Sequence, residues 1–421
     1  MMKLSGVDWI GEIPDTWIVS RVNRLFENHD FERVPVEASE RTHEGDVEYP
    51  YYGANGVQDY IDGYIFDSPS VLIGEDGSVL KEDGTPYVTF ADGRYWVNNH
   101  AHVLMETEGY SLRYGYYSLS AANIFGLVNG STRAKLTQTA LNHMLLPVPD
   151  YAEQIQIAEC LDIEVGKLDE AASILDKQLS ILERYKVSLI HEAVTKGLDN
   201  TVAMKPSDVE WIGEIPINWK ITKLRAFGSC QNGISKSGEY FGSGYPFISY
   251  GNVYRDEINN EKAWGQIESN AEERQRYSVL RGDVFFTRTS ETIDEVGIAT
   301  ASLSDIPNAC FAGFLIRVRP YDKEAMLPEY ARYYFRCGIS RSYFAKRMVI
   351  VTRASLGQNL LKELPVLIPP ASEQKRIINY LDERCSAIDK TIEIKRKQVE
   401  VLKKRRTSLI YEYVTGKRRV S

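Results

Sequence analysis

Two stretches of the chain carry positive charge with no acid to cancel it. From Gly109 through Pro149 there is not one Asp or Glu. From Tyr330 through Lys362 there is again none, while that window holds Arg332, Arg336, Arg341, Lys346, Arg347, Arg353 and Lys362. Guanidinium and ammonium groups neutralise phosphates; Arg also binds guanine through two hydrogen bonds, and Asn or Gln binds adenine the same way. Side chains of these types mark candidate nucleic-acid contacts: Asn55, Gln58, Asn98, Asn99, Asn129, Thr132, Arg133 and Lys135 in the first half. In the second half they are Lys236, Asn252, Arg288, Thr289, Ser290, Arg347, Thr352 and Arg353. Each has an ordinary alternative as a turn residue or a solvated side chain. Aromatics interleave with the cations (Tyr110, Tyr114, Tyr116, Tyr117 and Phe125; Tyr333, Tyr334, Phe335, Tyr343 and Phe344), and aromatics at helical spacing usually pack inward.

Catalytic chemistry finds no such foothold. No G-x-x-x-x-G-K-[ST] phosphate loop occurs. The only Pro-Pro, Pro369-Pro370, lacks the Asn/Asp and aromatic flanks of an amino-methyltransferase motif, and Gly242-Ser243-Gly244 is too short for a cofactor loop. Asp162, Glu164 and Lys167 fall on a heptad helix, where charge is the ordinary solvated face, and the six histidines show no metal-ligand spacing. The expectation is a chain with no catalytic site, no metal and no bound cofactor. Five scattered cysteines without a C-x-x-C pair point to a reducing cytoplasm. No 18-residue apolar run occurs, so neither secretion nor a membrane span is expected. The net charge of −8 does not by itself exclude a polyanionic partner, because placement of charge matters more than its sum.

The elements that must position these residues occur twice. Trp9-Ile-Gly-Glu-Ile-Pro14 returns as Trp211-Ile-Gly-Glu-Ile-Pro216, each followed by a further tryptophan, Trp17 and Trp219. Thr132-Arg133-Ala134-x-Leu136-x-Gln138 returns as Thr352-Arg353-Ala354-x-Leu356-x-Gln358. Glu153-Gln154, Leu161-Asp162 and Ser188-Leu189-Ile190 return as Glu373-Gln374, Leu381-Asp382 and Ser408-Leu409-Ile410. The offset is 202 residues at the first pair and 220 at the others, so the second middle is 18 residues longer. The two middles otherwise share little, so each copy is a variable domain followed by a constant segment. Arg133 and Arg353 stand out because they hold equivalent places in divergent copies, which fits a base contact or a shared structural ion pair. The tryptophans fit packing anchors or partner contacts equally.

The constant segments are heptad helices. Leu161, Leu168, Leu175, Leu182 and Leu189 fall seven apart, as do Leu381, Ile388, Lys395, Leu402 and Leu409. Companion rows run Ala158, Val165, Ala172, Leu179, Lys186, Ala193 and Ile378, Cys385, Ile392, Val399, Arg406, Tyr413. Only Lys186, Lys395 and Arg406 interrupt the apolar seam, where polar residues can set register at some cost in stability. Asp150 and Glu153 form a capping box after Pro147-Val148-Pro149, and Pro369-Pro370 precedes the second helix. A helix from Glu153 to Lys196 spans about 66 Å at ~1.5 Å per residue, too long to bury its stripe on one small domain. The two helices therefore pair with each other inside the monomer. Chain order favours an antiparallel pair, and Lys196 to Pro216 would be a linker into the second variable domain.

The predicted fold class is α+β: two globular domains separated by two long antiparallel helices forming an intramolecular coiled coil, a pseudo-two-fold internal repeat. The expected segments are 1–150, 151–200, 201–368 and 369–421. In the variable domains, Val71-Leu72-Ile73, Tyr95-Trp96-Val97, Pro246–Tyr250, Val284-Phe285-Phe286 and Phe314–Val318 predict strands. Leu112–Ser120 and Leu327–Phe344 predict helices, and Asp76-Gly77, Asp83-Gly84 and Asp92-Gly93 are hairpin signals.

With its W-I-G-E-I-P-x-x-W openings, P-x-x-x-E-Q helix starts and S-L-I-x-E-x-V-T helix ends, the whole chain resembles the specificity subunits of type I restriction-modification enzymes. The resemblance implies a non-catalytic subunit whose variable domains are target-recognition domains, each reading one half of a bipartite target in double-stranded DNA, with the coiled coil as a ruler for the spacer. It implies two modification subunits that dock along the helices and methylate adenine at N6 with S-adenosylmethionine. Restriction subunits using ATP and Mg would join them, in the cytoplasm. A self-sufficient DNA-binding or anti-restriction protein, an orphan subunit, or an enzyme with an unrecognised site are the alternatives.

Overall fold

A computed structural model of the chain describes residues 1–41, 47–77, 79–128, 134–210, 212–256, 258, 265–290, 295–345, 347 and 354–420. They form two compact units, Met1–Lys177 with Arg396–Ser421, and Gln178–Lys395. Each long helix, Tyr151–Lys196 or Ala371–Val414, therefore contributes one part to each unit.

The first unit is built on an antiparallel four-stranded sheet in the order Phe26–Asn28, Ala101–Glu106, Ser70–Gly74, Val88–Ala91. Both faces are covered. Val71, Ile73 and Leu104 enter a core with helix Leu112–Ala121 and both long helices, while Leu72, Ala91 and Val103 face a smaller core with Phe66, Tyr95 and Val97. That double burial explains why Val71-Leu72-Ile73 reads as an unbroken apolar run rather than an alternating one. A second sheet orders Gly56–Ile61, Tyr49–Gly53 and Trp96–Val97.

The second unit repeats the plan. Its four-stranded sheet orders Gly228–Asn232, Leu315–Pro320, Val284–Thr287 and Ala299–Ala301. Val284 and Phe286 enter one core while Phe285 enters the other. The three-stranded sheet orders Gly265–Ile267, Phe241–Ile248 and Cys310–Phe311, its last pair parallel like that of the first unit. The internal repeat is thus structural as well as textual.

The heptads pack as antiparallel pairs within each unit. In the first, Ile157, Ala158, Leu161 and Val165 share a core with Leu409, Ile410, Tyr413 and Val414, and Arg406 Nε donates to Asp169 Oδ1 at 2.9 Å. In the second, Leu189, Ala193 and Val194 share a core with Ile377, Leu381, Cys385, Ile388 and Ile392. There Lys186 Nζ meets Asp389 Oδ2 at 2.6 Å, and Lys395 Nζ donates to Gln178 Oε1 at 2.6 Å. Every polar interruption of the seam thus reaches a polar group on the facing helix. Leu168, Leu175, Leu182 and Leu402 are only half-buried, because a two-helix seam leaves its flanks in water.

The recurring motifs have physical reasons. Gln154 Oε1 accepts from Ser111 N at 2.8 Å and Gln154 Nε2 donates to Pro149 O at 3.1 Å, clamping a helix start to the long helix. Gln374 does the same with Leu327 N at 2.8 Å and Pro369 O at 2.9 Å. Trp17 and Trp219 are buried; Trp17 Nε1 donates to Glu153 Oε2 at 2.8 Å.

Several expectations change. The stretch from Lys196 to Pro216 is a packed ribbon, Met204–Pro206 paired with Glu214–Pro216, equivalent to Met2–Leu4 with Glu12–Pro14. It buries Ile212 and Ile215 and so is no free linker. The Leu327–Phe344 helix divides into Pro328–Arg336 and Gly338–Ala345, because Cys337 adopts an extended backbone at ψ 156. Phe314 precedes its strand, in a turn closed by Leu315 N to Ala312 O at 3.0 Å, and the Pro246–Tyr250 strand stops at Ile248. Only Asp83-Gly84 turns a hairpin between paired strands; Asp92-Gly93 passes the chain between sheets, and Gly77 N donates to Ala134 O at 3.1 Å. The capping box is half formed: Asp150 Oδ1 accepts from Glu153 N at 2.9 Å, but Glu153 turns its own carboxylate to Trp17 and Arg419.

Candidate nucleic-acid interface

In the first unit the fold gathers candidates that lie 40 residues apart in sequence. Gln58, Asn98 and Asn99 line one cleft with Arg41, Tyr51 and His100. Asn98 is buried and internally bonded: its Nδ2 donates to Gln58 Oε1 at 3.0 Å and its Oδ1 accepts from His100 N at 2.8 Å. Asn99 is exposed and has no side-chain partner among the described residues. Asn55 is exposed at the tip between strands Tyr49–Gly53 and Gly56–Ile61. Arg41, which residue-type reasoning passed over, stacks 4.5 Å from the Tyr51 ring and meets Asp59 Oδ2 at 3.0 Å. Lys135 is half-exposed and lies 3.1 Å from Glu75 Oε1. It also bridges to Asp76, whose Oδ1 sits 2.6 Å from His100 Nδ1, so Lys135 and the cleft share one rim.

Beneath that rim is an ionic cluster. Asp30, Glu75 and His102 bring ligand-type atoms within 4.8 Å of one another, the group among the described residues that could offer atoms to an ion. Those atoms are already engaged. Arg33 Nη1 meets Glu75 Oε2 at 2.5 Å, and His102 Nδ1 meets Asp30 Oδ2 at 2.6 Å. His102 Nε2 lies 2.8 Å from Leu136 O. Burial pushes both carboxylates up, but bonds from His102 to Asp30 and from Arg33 to Glu75 outweigh it and hold both below the usual carboxylate range.

In the second unit Thr289–Ser290 pairs with Ala354–Ser355, joining three candidates to the second T-R-A-x-L-x-Q segment. Arg288 is half-buried, and its guanidinium has no partner among the described residues. Its backbone is fixed on both sides, N to Phe314 O at 2.9 Å and O from Leu356 N at 2.7 Å. Lys236 is spent internally, on Glu273 Oε2 and Glu268 O at 2.8 Å each. Asn252 is buried in a capping box with Ser249. Arg347 is exposed and stacks 4.4 Å from the Tyr343 ring. Asn129, Thr132, Arg133, Thr352 and Arg353 lie outside the described residues, as does the Ser290 side chain.

The cationic windows are partly structural. Arg332 Nη2 pairs with Asp256 Oδ2 at 2.7 Å, and Arg336 Nη2 donates to Tyr254 O at 2.8 Å. Tyr114, Tyr117, Tyr334, Phe335 and Phe344 are buried, whereas Phe125 is exposed.

A family model for the type I restriction modification DNA specificity domain matches residues 14–178 and again 216–404. The chain belongs to that family. A chain of Haemophilus influenzae, provisionally named a type I restriction enzyme specificity subunit, is 27% identical over 358 residues, 83% of each protein. The type I restriction enzyme MjaVIII specificity subunit of Methanocaldococcus jannaschii is 23% identical, over 97% of this chain and 94% of its own length. A solved chain described under complex assembly and conformational transition of the type I R-M system shares the fold, with a TM-score of 0.64. It is 15% identical and covers 96% of this chain and 98% of its own. The chain is a type I specificity subunit, and no helix among its described residues is long and apolar enough to cross a membrane.

Proposed function

We propose that each unit reads one half of a bipartite, asymmetric target in double-stranded DNA. On this reading the chain is non-catalytic and directs partner modification subunits, which carry S-adenosylmethionine, to methylate adenine at N6. Restriction subunits carrying ATP and Mg join the same core. Phosphate contacts position such a protein and base-edge contacts specify the sequence, so the reading needs a constant scaffold with variable chemistry at its rim.

One observation carries it. Both units hold the T-R-A-x-L-x-Q segment by the same bonds, Leu136 N to Glu75 O at 2.8 Å and Leu356 N to Arg288 O at 2.7 Å. The groups around those bonds differ: exposed Lys135, Asn99 and Gln58 in one unit, half-buried Arg288 and Thr289 with exposed Phe314 in the other. Equal scaffolds with unlike rims suit two unlike half-sites. The segments 1–150 and 201–368 are proposed as the two recognition modules, with 151–200 and 369–421 as the helices along which modification subunits dock.

The test is single-molecule methylome mapping in a methylase-deficient host that expresses this chain with a modification subunit. One split, asymmetric N6-methyladenine motif that vanishes without this chain is the expected result. A folded, assembled pair that marks no such motif overturns the reading.

A further inference from the structure

The four-stranded sheets of the two units have equivalent strand ends that carry opposite chemistry. In the first unit Glu75 N donates to His100 O at 2.8 Å, and Glu75 O accepts from Leu136 N at 2.8 Å. In the second, Arg288 N donates to Phe314 O at 2.9 Å, and Arg288 O accepts from Leu356 N at 2.7 Å. The bonding pattern makes Glu75 and Arg288 equivalent, and His100 equivalent to Phe314. Glu75 is satisfied where it stands, between Arg33 and Lys135. Arg288 is not: half-buried, it has no carboxylate, carbonyl or ring against it among the described residues. A half-buried guanidinium with no such partner among the described residues is open to an acceptor from outside.

We propose that Arg288 is the specificity-determining residue of the second unit, donating two hydrogen bonds to the O6 and N7 edge of a guanine in the second half-site. This rests on the DNA-reading function proposed above. Three features favour a base edge. The backbone of Arg288 is locked between two strand ends, and Thr289 continues into the pair with Ser355, so the fork is delivered from a rigid element. Phe314, whose carbonyl holds the Arg288 backbone, is 65% exposed at the tip of a tight turn and puts an apolar side chain on the surface at the same strand end. A planar guanidinium matches guanine bidentately, whereas a phosphate can be met equally well by a flexible ammonium. The first unit lacks this group, since its equivalent position is an ion-paired carboxylate, so the two halves of the target are read by different chemistry.

The experiment maps methylation directed by the wild-type, Arg288→Ala and Arg288→Lys chains, each with the modification subunit. The expected result for Arg288→Ala is loss of one guanine preference in the second half of the motif, with discrimination there falling about tenfold or more. The first half should stay intact and the melting temperature unchanged. Arg288→Lys should restore that preference only in part. Full rescue by Lys, or an even loss of methylation with no change of motif, means a phosphate contact and overturns the proposal. An unchanged motif and yield overturns it as well. A wild-type chain that directs no motif at all fails the underlying reading first, and the proposal with it.

Discussion

Gln358 Nε2 donates to Asn232 Oδ1 at 2.8 Å, tying the last residue of the repeated T-R-A-x-L-x-Q segment to the end of the first strand of its sheet. The first unit makes the same bond between Gln138 and Asn28, at 2.7 Å. Gln358→Ala strands a half-buried amide and should cost about 1 kcal/mol, the usual worth of one such bond. For a unit of this size that is roughly a 2–4 °C drop in Tm. The same change loosens the segment that holds Arg288 from behind, so under the DNA-reading function proposed above affinity for the second half-site should fall more than stability does. Calorimetry on the full chain together with binding to duplexes altered in one half would check both.

Gly416 and Gly197 end the two long helices with φ of +69 and +76, the left-handed cap that glycine adopts without strain. Alanine is costly at both, but not equally. A Cβ on Gly416 would sit 2.4 Å from Pro14 Cδ, part of a rigid ring, whereas one on Gly197 would meet Glu373 Oε1 at 2.7 Å, the end of a side chain that can swing. Gly197→Ala should therefore lose about 1 kcal/mol from the left-handed backbone. Gly416→Ala should lose more, because the backbone strain adds to overpacking of typically 1–3 kcal/mol. Urea denaturation of the two variants would rank them, and equal losses would contradict this account.

The heptad helices and the repeat were legible because both are periodic signals that survive without knowledge of tertiary partners. Seven-residue spacing places Leu161 and Leu381 on a seam whatever the domains do, and both are fully buried. The Met204–Pro206 ribbon was not legible, since three-residue strands are too short to show any period. The break at Cys337 was hidden because the residues on either side keep helical spacing. Within the candidate interface, residue type cannot reveal which donors are already spent. Asn252 caps Ser249, and Lys236 is held by Glu273. The cleft of Gln58, Asn98 and Asn99 forms only when separate strands meet. Arg41 and Phe314 carried no motif, and only their placement brings them forward.

Lys186 and Asp389 form a polar pair, 2.6 Å apart, within an otherwise apolar seam. The Lys side chain is 29% exposed and the Asp 54%, so solvent screens the pair and its worth is small, below about 1 kcal/mol. Asp389→Ala should thus lower Tm only slightly, and less so in high salt. Lys186→Leu should leave stability unchanged or raise it, because replacing a seam charge by a packed apolar group is often neutral or favourable. What it should lose is register, since a polar seam position favours one alignment over its neighbours. Cysteine crosslinking between the helices in the Leu variant would reveal the alternative alignments, and a single alignment with a lower Tm would refute the expectation.

Asp256 gives the second unit an acid-sensitive joint. Burial pushes its carboxyl up, but Arg332 Nε and Nη2 at 2.8 and 2.7 Å, helped by Thr300, bring it below the usual 3.8. A carboxyl depressed on folding stabilises the native state above its unfolded value, and that stability is lost as pH falls through the lower folded value. Neutral pH therefore retains the whole contribution, and unfolding should steepen below about pH 3.8. Asp256→Asn keeps the shape but removes the charge, taking from Arg332 and Arg336 the carboxylate they share. It should cost about 2 kcal/mol at pH 7, in the range of a charge-assisted bond, and less at low pH. Stability measured from pH 2 to 7 for both proteins would show the two curves converging in acid. If the gap between them is the same at every pH, Asp256 does not act through its charge.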